Sequence, residues 1–222
     1  ASECEPGLAH NIAQIDEDPA ALLRGIHYLM EIAGADKGII AIKKKHRETI
    51  EKLDALLKDD PAIERHLLPD IYPMGEERAV VRECLGIELE PDKLPSAANA
   101  VVINSETVYS CVKAIEDQKP LIDKNITVRG MIKGGNEAHV FMDVPVGRSV
   151  QALIDEAGGF DEMGYGEVIM GGAFTGKATE LDAPITKATG ALLVTRPFRD
   201  LHGAKMGILV CACGGNLERM ED

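Results

Sequence analysis

Apolar residues recur at helical spacing at Leu22, Leu23, Ile26, Leu29, Met30 and Ala33, and Gly34 follows where a C-cap belongs, so the pattern predicts an amphipathic helix after Pro19. The period then shortens. Gly38-Ile39-Ile40-Ala41-Ile42 is a β-branched apolar run of the kind that forms a buried strand, and a charged helical pattern covers Arg47 to Leu57. This strand-then-helix unit returns twice. A weaker strand around Arg65 to Tyr72 leads through Pro73-Met74-Gly75 to a helix from Glu76 to Cys84. Val101-Val102-Ile103 then leads through Asn104-Ser105-Glu106-Thr107 to a helix from Val108 to Ile115. Strands alternating with helices imply a parallel sheet covered on both faces, which assigns residues 1–120 to one α/β domain.

The pattern changes after Pro120. Ile126-Thr127-Val128-Arg129-Gly130 and Ala138-His139-Val140-Phe141-Met142 read as strands around a Gly134-Gly135-Asn136 turn, and Ser149 to Ala157 reads as one helix ending at Gly158-Gly159. With a further strand at Glu167 to Met170, residues 121–175 describe a small β-grasp module. Residues 176–222 form a tail or return segment that carries a Leu192-Leu193-Val194 run and a last apolar strand from Met206 to Cys211.

Composition narrows the function classes. The 222 residues are 45% hydrophobic, enough to bury a core, and the formal charge of −13 with no basic stripe argues against a nucleic-acid partner. No apolar run approaches the roughly 20 residues that span a bilayer, so direct membrane insertion is not expected. The cysteines Cys4, Cys84, Cys111, Cys211 and Cys213 are odd in number and scattered, which fits reduced thiols in a cytoplasmic protein better than a disulfide framework. The chain opens on Ala1 rather than Met and closes on a short charged stretch, so both ends read as cut from something longer.

In an open parallel sheet, ligands bind beyond the carboxyl ends of the strands, where helix N-termini present free N–H groups. Three segments meet that description: Glu3-Cys4-Glu5-Pro6-Gly7, Tyr72-Pro73-Met74-Gly75-Glu76-Glu77 and Asn104-Ser105-Glu106-Thr107. The same residues also suit a purely structural role. Asn104 or Ser105 is a good N-cap, Glu76 and Glu77 favour a helix N-terminus, and Pro6-Gly7 makes a turn in almost any loop.

These segments, in this order, resemble those of the RnfC family and of the related flavoprotein subunit of respiratory complex I. The Glu-Cys-Glu-Pro and Tyr-Pro-x-Gly-Glu motifs of the first are matched at Glu3 to Pro6 and Tyr72 to Glu76. The Gly-Glu-Glu and Asn-Asn-x-Glu-Thr steps of the second are matched at Gly75 to Glu77 and at Ile103 to Thr107, with Ile103 standing where the relative has an asparagine. The resemblance implies a Rossmann-like parallel-sheet domain that binds FMN, followed by a β-grasp domain of the SLBB type across Ile126 to Gly172. It implies cofactor contacts at Glu3, Cys4, Tyr72, Gly75, Glu76, Glu77, Asn104 and Thr107, with Glu5 facing the nicotinamide. It further implies NADH and electron-transfer proteins as partners, with no side chain acting as nucleophile or general base.

The likeness runs to about Val194. The iron–sulfur cysteines that RnfC carries next are replaced by Cys211-Ala212-Cys213-Gly214-Gly215, an ending more like PrdC, the RnfC-like carrier associated with proline reductase, so any iron–sulfur cluster is expected outside this segment. The family's glycine-rich loop around the flavin phosphate is also not among these residues, and the segment alone is expected to be inactive and to purify without flavin. The alternative is a ligand-binding or docking module without turnover. Gly171 to Lys177 matches the G-x-x-x-x-G-K core of a phosphate-binding loop, but Ala178 replaces the Ser/Thr and no helical pattern follows, so nucleotide hydrolysis is not expected. Cys4 near His10, and the scattered His27, His46, His66, His139 and His202, show no nucleophile or metal-ligand spacing.

Overall fold

The computed structural model describes residues 3–134, 137–199 and 202–203. Helix α1 (His10–Glu17) leads directly into α2 (Pro19–Ala33), because the Asp18 side chain accepts the Ala21 N–H while Pro19 occupies the first turn. Gly34 closes α2 in the left-handed conformation that favours glycine. Strand β1 (Gly38–Lys43), α3 (Arg47–Leu57) and β2 (Ile63–Leu68) form a β-α-β unit, with β1 and β2 parallel from Gly38 opposite Ile63 to Lys43 opposite Leu68. Helices α4 (Glu77–Leu85) and α5 (Ser105–Glu116) follow the next two loops.

The alternation along β1 explains how the helices settle on it. Ile40 and Ile42 pack with Ile15, Leu22, Leu53 and Val108 from the helices, whereas Ala41 points into a smaller cluster of Leu68, Met74, Ala79 and Val80. Strand β1 is therefore packed on both faces, as the sequence pattern implies, whereas β2 leaves Glu64 and Leu67 exposed. Two expectations are corrected. The second strand begins at Ile63 and ends at Leu68 rather than running to Tyr72, and Val101-Val102-Ile103 forms no strand. An apolar cleft of about 750 Å³ is lined by β1 and by residues 99–103, and this run is paired in neither sheet. Val102 still packs against the Leu68 and Met74 cluster, while Val101 is left 69% exposed.

The second sheet has five strands. β3 (Asp123–Gly130), β4 (His139–Pro145), β5 (Val168–Met170), β6 (Lys177–Thr179) and β7 (Ala191–Val194) lie in the order β4-β3-β7-β5-β6. β3 runs antiparallel to β4 and parallel to β7, and β5 pairs antiparallel with both β6 and β7. Helix α6 (Val150–Glu156), capped by the Ser149 side chain, covers this sheet through Leu153 and Ile154, which pack with Ile126, Val128 and Leu192. Strand β3 is buried on both faces: Ile126 and Val128 face α6, and Thr127 between them meets α1. The expected strand from Met206 to Cys211, with Cys211 and Cys213, lies outside the described residues. Among the described residues no helix is long and apolar enough to cross a membrane.

Candidate functional site

The loops leaving the carboxyl ends of β1 and β2 are drawn together by ion pairs. Lys43, the last residue of β1, lies 3.3 Å from Asp70, which Lys45 also approaches to 3.0 Å. Just beyond Asp70, the Gly75 N–H donates to Cys4 Sγ at 3.0 Å, so the first and second candidate segments touch. The first and third are joined through Asn11 on α1. Its Nδ2 donates to Glu3 Oε2 at 2.9 Å and its Oδ1 accepts from Ser105 Oγ at 3.4 Å. Segments separated by some 70 and 100 positions thus meet at one edge of the parallel sheet.

Within that edge the side chains divide by role. Glu76 is the N-cap of α4: one oxygen accepts the Ala79 N–H and the other Arg78 Nε, each at 3.0 Å. Burial acts to raise its pKa, but the Arg78 guanidinium and the helix N–H groups outweigh it and hold the carboxyl below its ordinary value. Asn104 caps α5 by accepting the Glu106 N–H at 2.9 Å. Both cap side chains are engaged with their own helices, the structural role that each has on residue type alone. Glu77 and Thr107, in the first turns of α4 and α5, are exposed, and Tyr72 is 58% exposed. Burial pushes the Cys4 thiol up, opposed by the Gly75 N–H and reinforced by the nearby Glu3 carboxylate, so Cys4 stays protonated at neutral pH and is no activated nucleophile.

Glu5 does something residue type did not announce. Its carboxylate accepts the Phe174 N–H at 2.8 Å and the Thr175 N–H at 3.0 Å, and the Thr175 hydroxyl donates to it at 2.5 Å. The phosphate-loop-like run from Gly171 to Lys177 is the tip of the β5–β6 hairpin and leads into strand β6 rather than a helix, which removes the nucleotide-binding context. Sequence reasoning also missed Asn11 and Lys43, and it placed Glu106 in a candidate segment without its partners. Glu106 accepts from Lys124 Nζ at 2.5 Å and from the Asn125 N–H at 3.2 Å, tying α5 to β3. None of these had a local signature, because each partner is distant in sequence.

The large cleft beside β1 is lined by none of the nine predicted site residues. Its walls are apolar, from Leu22, Ile26 and Met30 on α2 to Val80 and Cys84 on α4. Among the described residues no group of three or more His, Cys, Asp or Glu side chains is placed to hold a metal ion.

Residues 1–113 match the model of the Nuo51 FMN-binding domain. Cobalamin reductase PduS of Salmonella typhimurium is 37% identical over 198 residues, covering 87% of this chain and 42% of that protein. A component of the Na(+)-translocating ferredoxin:NAD(+) oxidoreductase complex of Acetobacterium woodii is 28% identical over 194 residues, covering 86% of this chain and 43% of its own length. The chain therefore spans less than half the length of these relatives. Among solved structures, an NAD+-reducing NiFe hydrogenase in the air-oxidized state superposes with a TM-score of 0.70 at 19% identity, over 88% of this chain and 39% of that one, a likeness of fold. The domain match covers half of the chain, the relatives extend it well past residue 113, and the chain belongs to the Nuo51 FMN-binding domain family.

Proposed function

We propose that this chain is the flavin-holding part of an RnfC- and PduS-like electron-transfer protein that passes electrons from a reduced nicotinamide through FMN to a protein or small-molecule acceptor. The observation that carries the reading is the meeting of the three segments at the carboxyl edge of the β1–β2 sheet, through Cys4 with Gly75 and through Glu3, Asn11 and Ser105. Bound FMN would supply the redox chemistry, accepting a hydride and releasing single electrons.

The residues present fit that group in part. The exposed Tyr72 ring offers a face for an isoalloxazine, and the α4 and α5 N-termini, with Glu77 and Thr107 exposed beside them, offer hydrogen bonds to polar ring and ribitol groups. Glu3 and Cys4 hold the first segment in place, while Glu76 and Asn104 act by fixing the two helix ends. The phosphate is the part they do not fit: Lys43 is 5% exposed and paired with Asp70, so it is not a phosphate ligand. We read the five-stranded sheet with α6 as the SLBB unit and assign the protein to the cytoplasm. The PrdC-like ending, Cys211 to Gly215, lies outside the described residues, and we assign any iron–sulfur cluster to a part of the protein outside this segment.

FMN content per polypeptide in the full-length parent tests this. Glu77→Ala combined with Thr107→Ala changes no buried contact and is expected to lower flavin occupancy or affinity about tenfold, the loss of one or two polar contacts. An unchanged flavin titration in that double variant refutes the site. A second reading, a docking module without turnover, is favoured by the apolar cleft along β1, and a full-length parent that never takes up FMN would select it.

A further inference from the structure

We propose that the tip of the β5–β6 hairpin, residues 171–176, is a lid latched over the candidate site by the Glu5 carboxylate. Three donors from this tip converge on one side chain: the Phe174 and Thr175 N–H groups and the Thr175 hydroxyl. Successive N–H groups pointing into a turn make a seat for an anion. Here the anion is the chain's own, supplied from 169 to 170 positions away. The approach is close: a Cβ on Gly172 would stand 2.0 Å from Glu5 Cδ, so a side chain there would push the carboxylate out of this seat. Gly171 and Gly176, the fixed glycines of the phosphate-loop pattern, crowd the tip's own backbone instead: a Cβ on Gly171 would stand 2.9 Å from Gly176 Cα, and one on Gly176 would stand 2.5 Å from the Gly172 carbonyl oxygen.

A second fastening lies beside the first. The Phe174 ring meets the Tyr72 ring edge to face with centroids 4.8 Å apart. The tip is therefore attached to both the Glu3–Gly7 and the Tyr72–Gly75 segments, the two that flank Cys4 Sγ and its bond to the Gly75 N–H. Both fastenings face solvent, with Phe174 60% and Tyr72 58% exposed, and such contacts open at far lower cost than the buried sheet behind them. A ligand approaching Tyr72 and Glu5 has to displace Phe174 and release the carboxylate, so the lid gates entry. Its purpose rests on the flavin-site reading above; its existence does not.

Two measurements on the chain, neither using flavin, test the latch. Amide hydrogen exchange at Phe174 and Thr175, read by NMR, is expected to accelerate about tenfold in Glu5→Gln, which turns one of the two accepting oxygens into a donor. Alkylation of Cys4 by iodoacetamide, read by peptide mass with Cys84 and Cys111 as internal references, is expected to speed up at least about threefold in Thr175→Val, which leaves every charge in place. Phe174→Ala replaces Thr175→Val if the latter does not fold. Unchanged exchange overturns the latch, and faster exchange with unchanged Cys4 alkylation overturns the covering role. Absence of FMN from the parent would count against the proposed function alone.

Discussion

Thr127 shows how one hydroxyl can join two halves of a chain. Its Oγ1 accepts the N–H groups of Ala9 and His10 at 3.0 and 3.1 Å, which leaves its own proton for His10 Nδ1 at 3.0 Å. The imidazole is then neutral, with its proton on Nε2. Burial pushes the His10 pKa below its ordinary value, and the Glu106 and Glu3 carboxylates only partly oppose this. The sign of the consequence follows from linkage. A depressed folded-state pKa contributes stability that is complete above about 6.5, the unfolded value, and is lost as pH falls through the lower folded value. Urea unfolding should accordingly show the stability of the wild type falling from about pH 7.5 to about pH 5 more steeply than that of His10→Gln. Thr127→Val should cost about 1–3 kcal/mol at neutral pH by leaving two N–H groups without their acceptor. Equal pH slopes for the two proteins would contradict the neutral buried imidazole. Asn104, one of two cap candidates, and Glu76, read as an acid at a helix N-terminus, were legible in the sequence because their bonds span two or three residues. Asn11 and Thr127 were not, nor were the partners of Glu106, since nothing local distinguishes a polar side chain that will find a partner some 20 to 120 positions away.

Among elements, α5 is held most specifically, and from two sides. Against α2 it approaches closely enough that a Cβ on Gly25 would lie 2.5 Å from Val108 Cγ1. Gly25→Ala, which would stabilise an isolated helix, should here destabilise the protein by roughly 1–3 kcal/mol, measured as a lowered thermal midpoint. Against β3, α5 presents Glu106 to Lys124, whose side chains are 15% and 10% exposed. Glu106→Ala strands that lysine in a nearly dry position and should cost roughly 3 kcal/mol, with replacement of Lys124 by Met in the same chain recovering part of the loss. A double-mutant cycle without coupling would show that the pair is incidental. Helices α2 and α3 were readable to within a residue or two, because a periodic apolar face and a Gly C-cap are local facts. The Val101–Ile103 run misled, because a β-branched apolar run states only that a segment prefers extension and burial. Whether it joins a ladder depends on backbone partners elsewhere in the fold, and this run pairs with neither sheet.

For the whole molecule, the order of the five-stranded sheet matters most. Strand β7, from the segment that reads as a tail, lies between β3 and β5 and bonds to both. Gly130 at the end of β3 permits this pairing, for a Cβ there would stand 2.0 Å from the Val194 carbonyl oxygen. A chain ending at Thr175 would leave β3 and β5 without their common neighbour and α6 without Leu192 beneath it. It should fail to fold cooperatively, giving poorly dispersed amide resonances, and native-like dispersion for residues 123–170 would overturn this. The same sheet carries the hairpin tip that holds Glu5 and the strand face that holds α1, so the candidate site is built from both halves.

From residue order alone came the alternation of strands and helices in the first half, the change to a small strand-rich module after Pro120, the helix-end residues and the three candidate segments, because periodicity, turn residues and motifs are properties of neighbours along the chain. Tertiary structure alone decided which strand lies at the centre of that sheet, that Val101 to Ile103 stays outside a ladder, that Glu5 is bound by a distant hairpin, and that Asn11 and Thr127 join the pieces. Each of those outcomes depends on backbone and side-chain groups competing across space for a limited number of partners, and that competition leaves no periodic trace in the sequence.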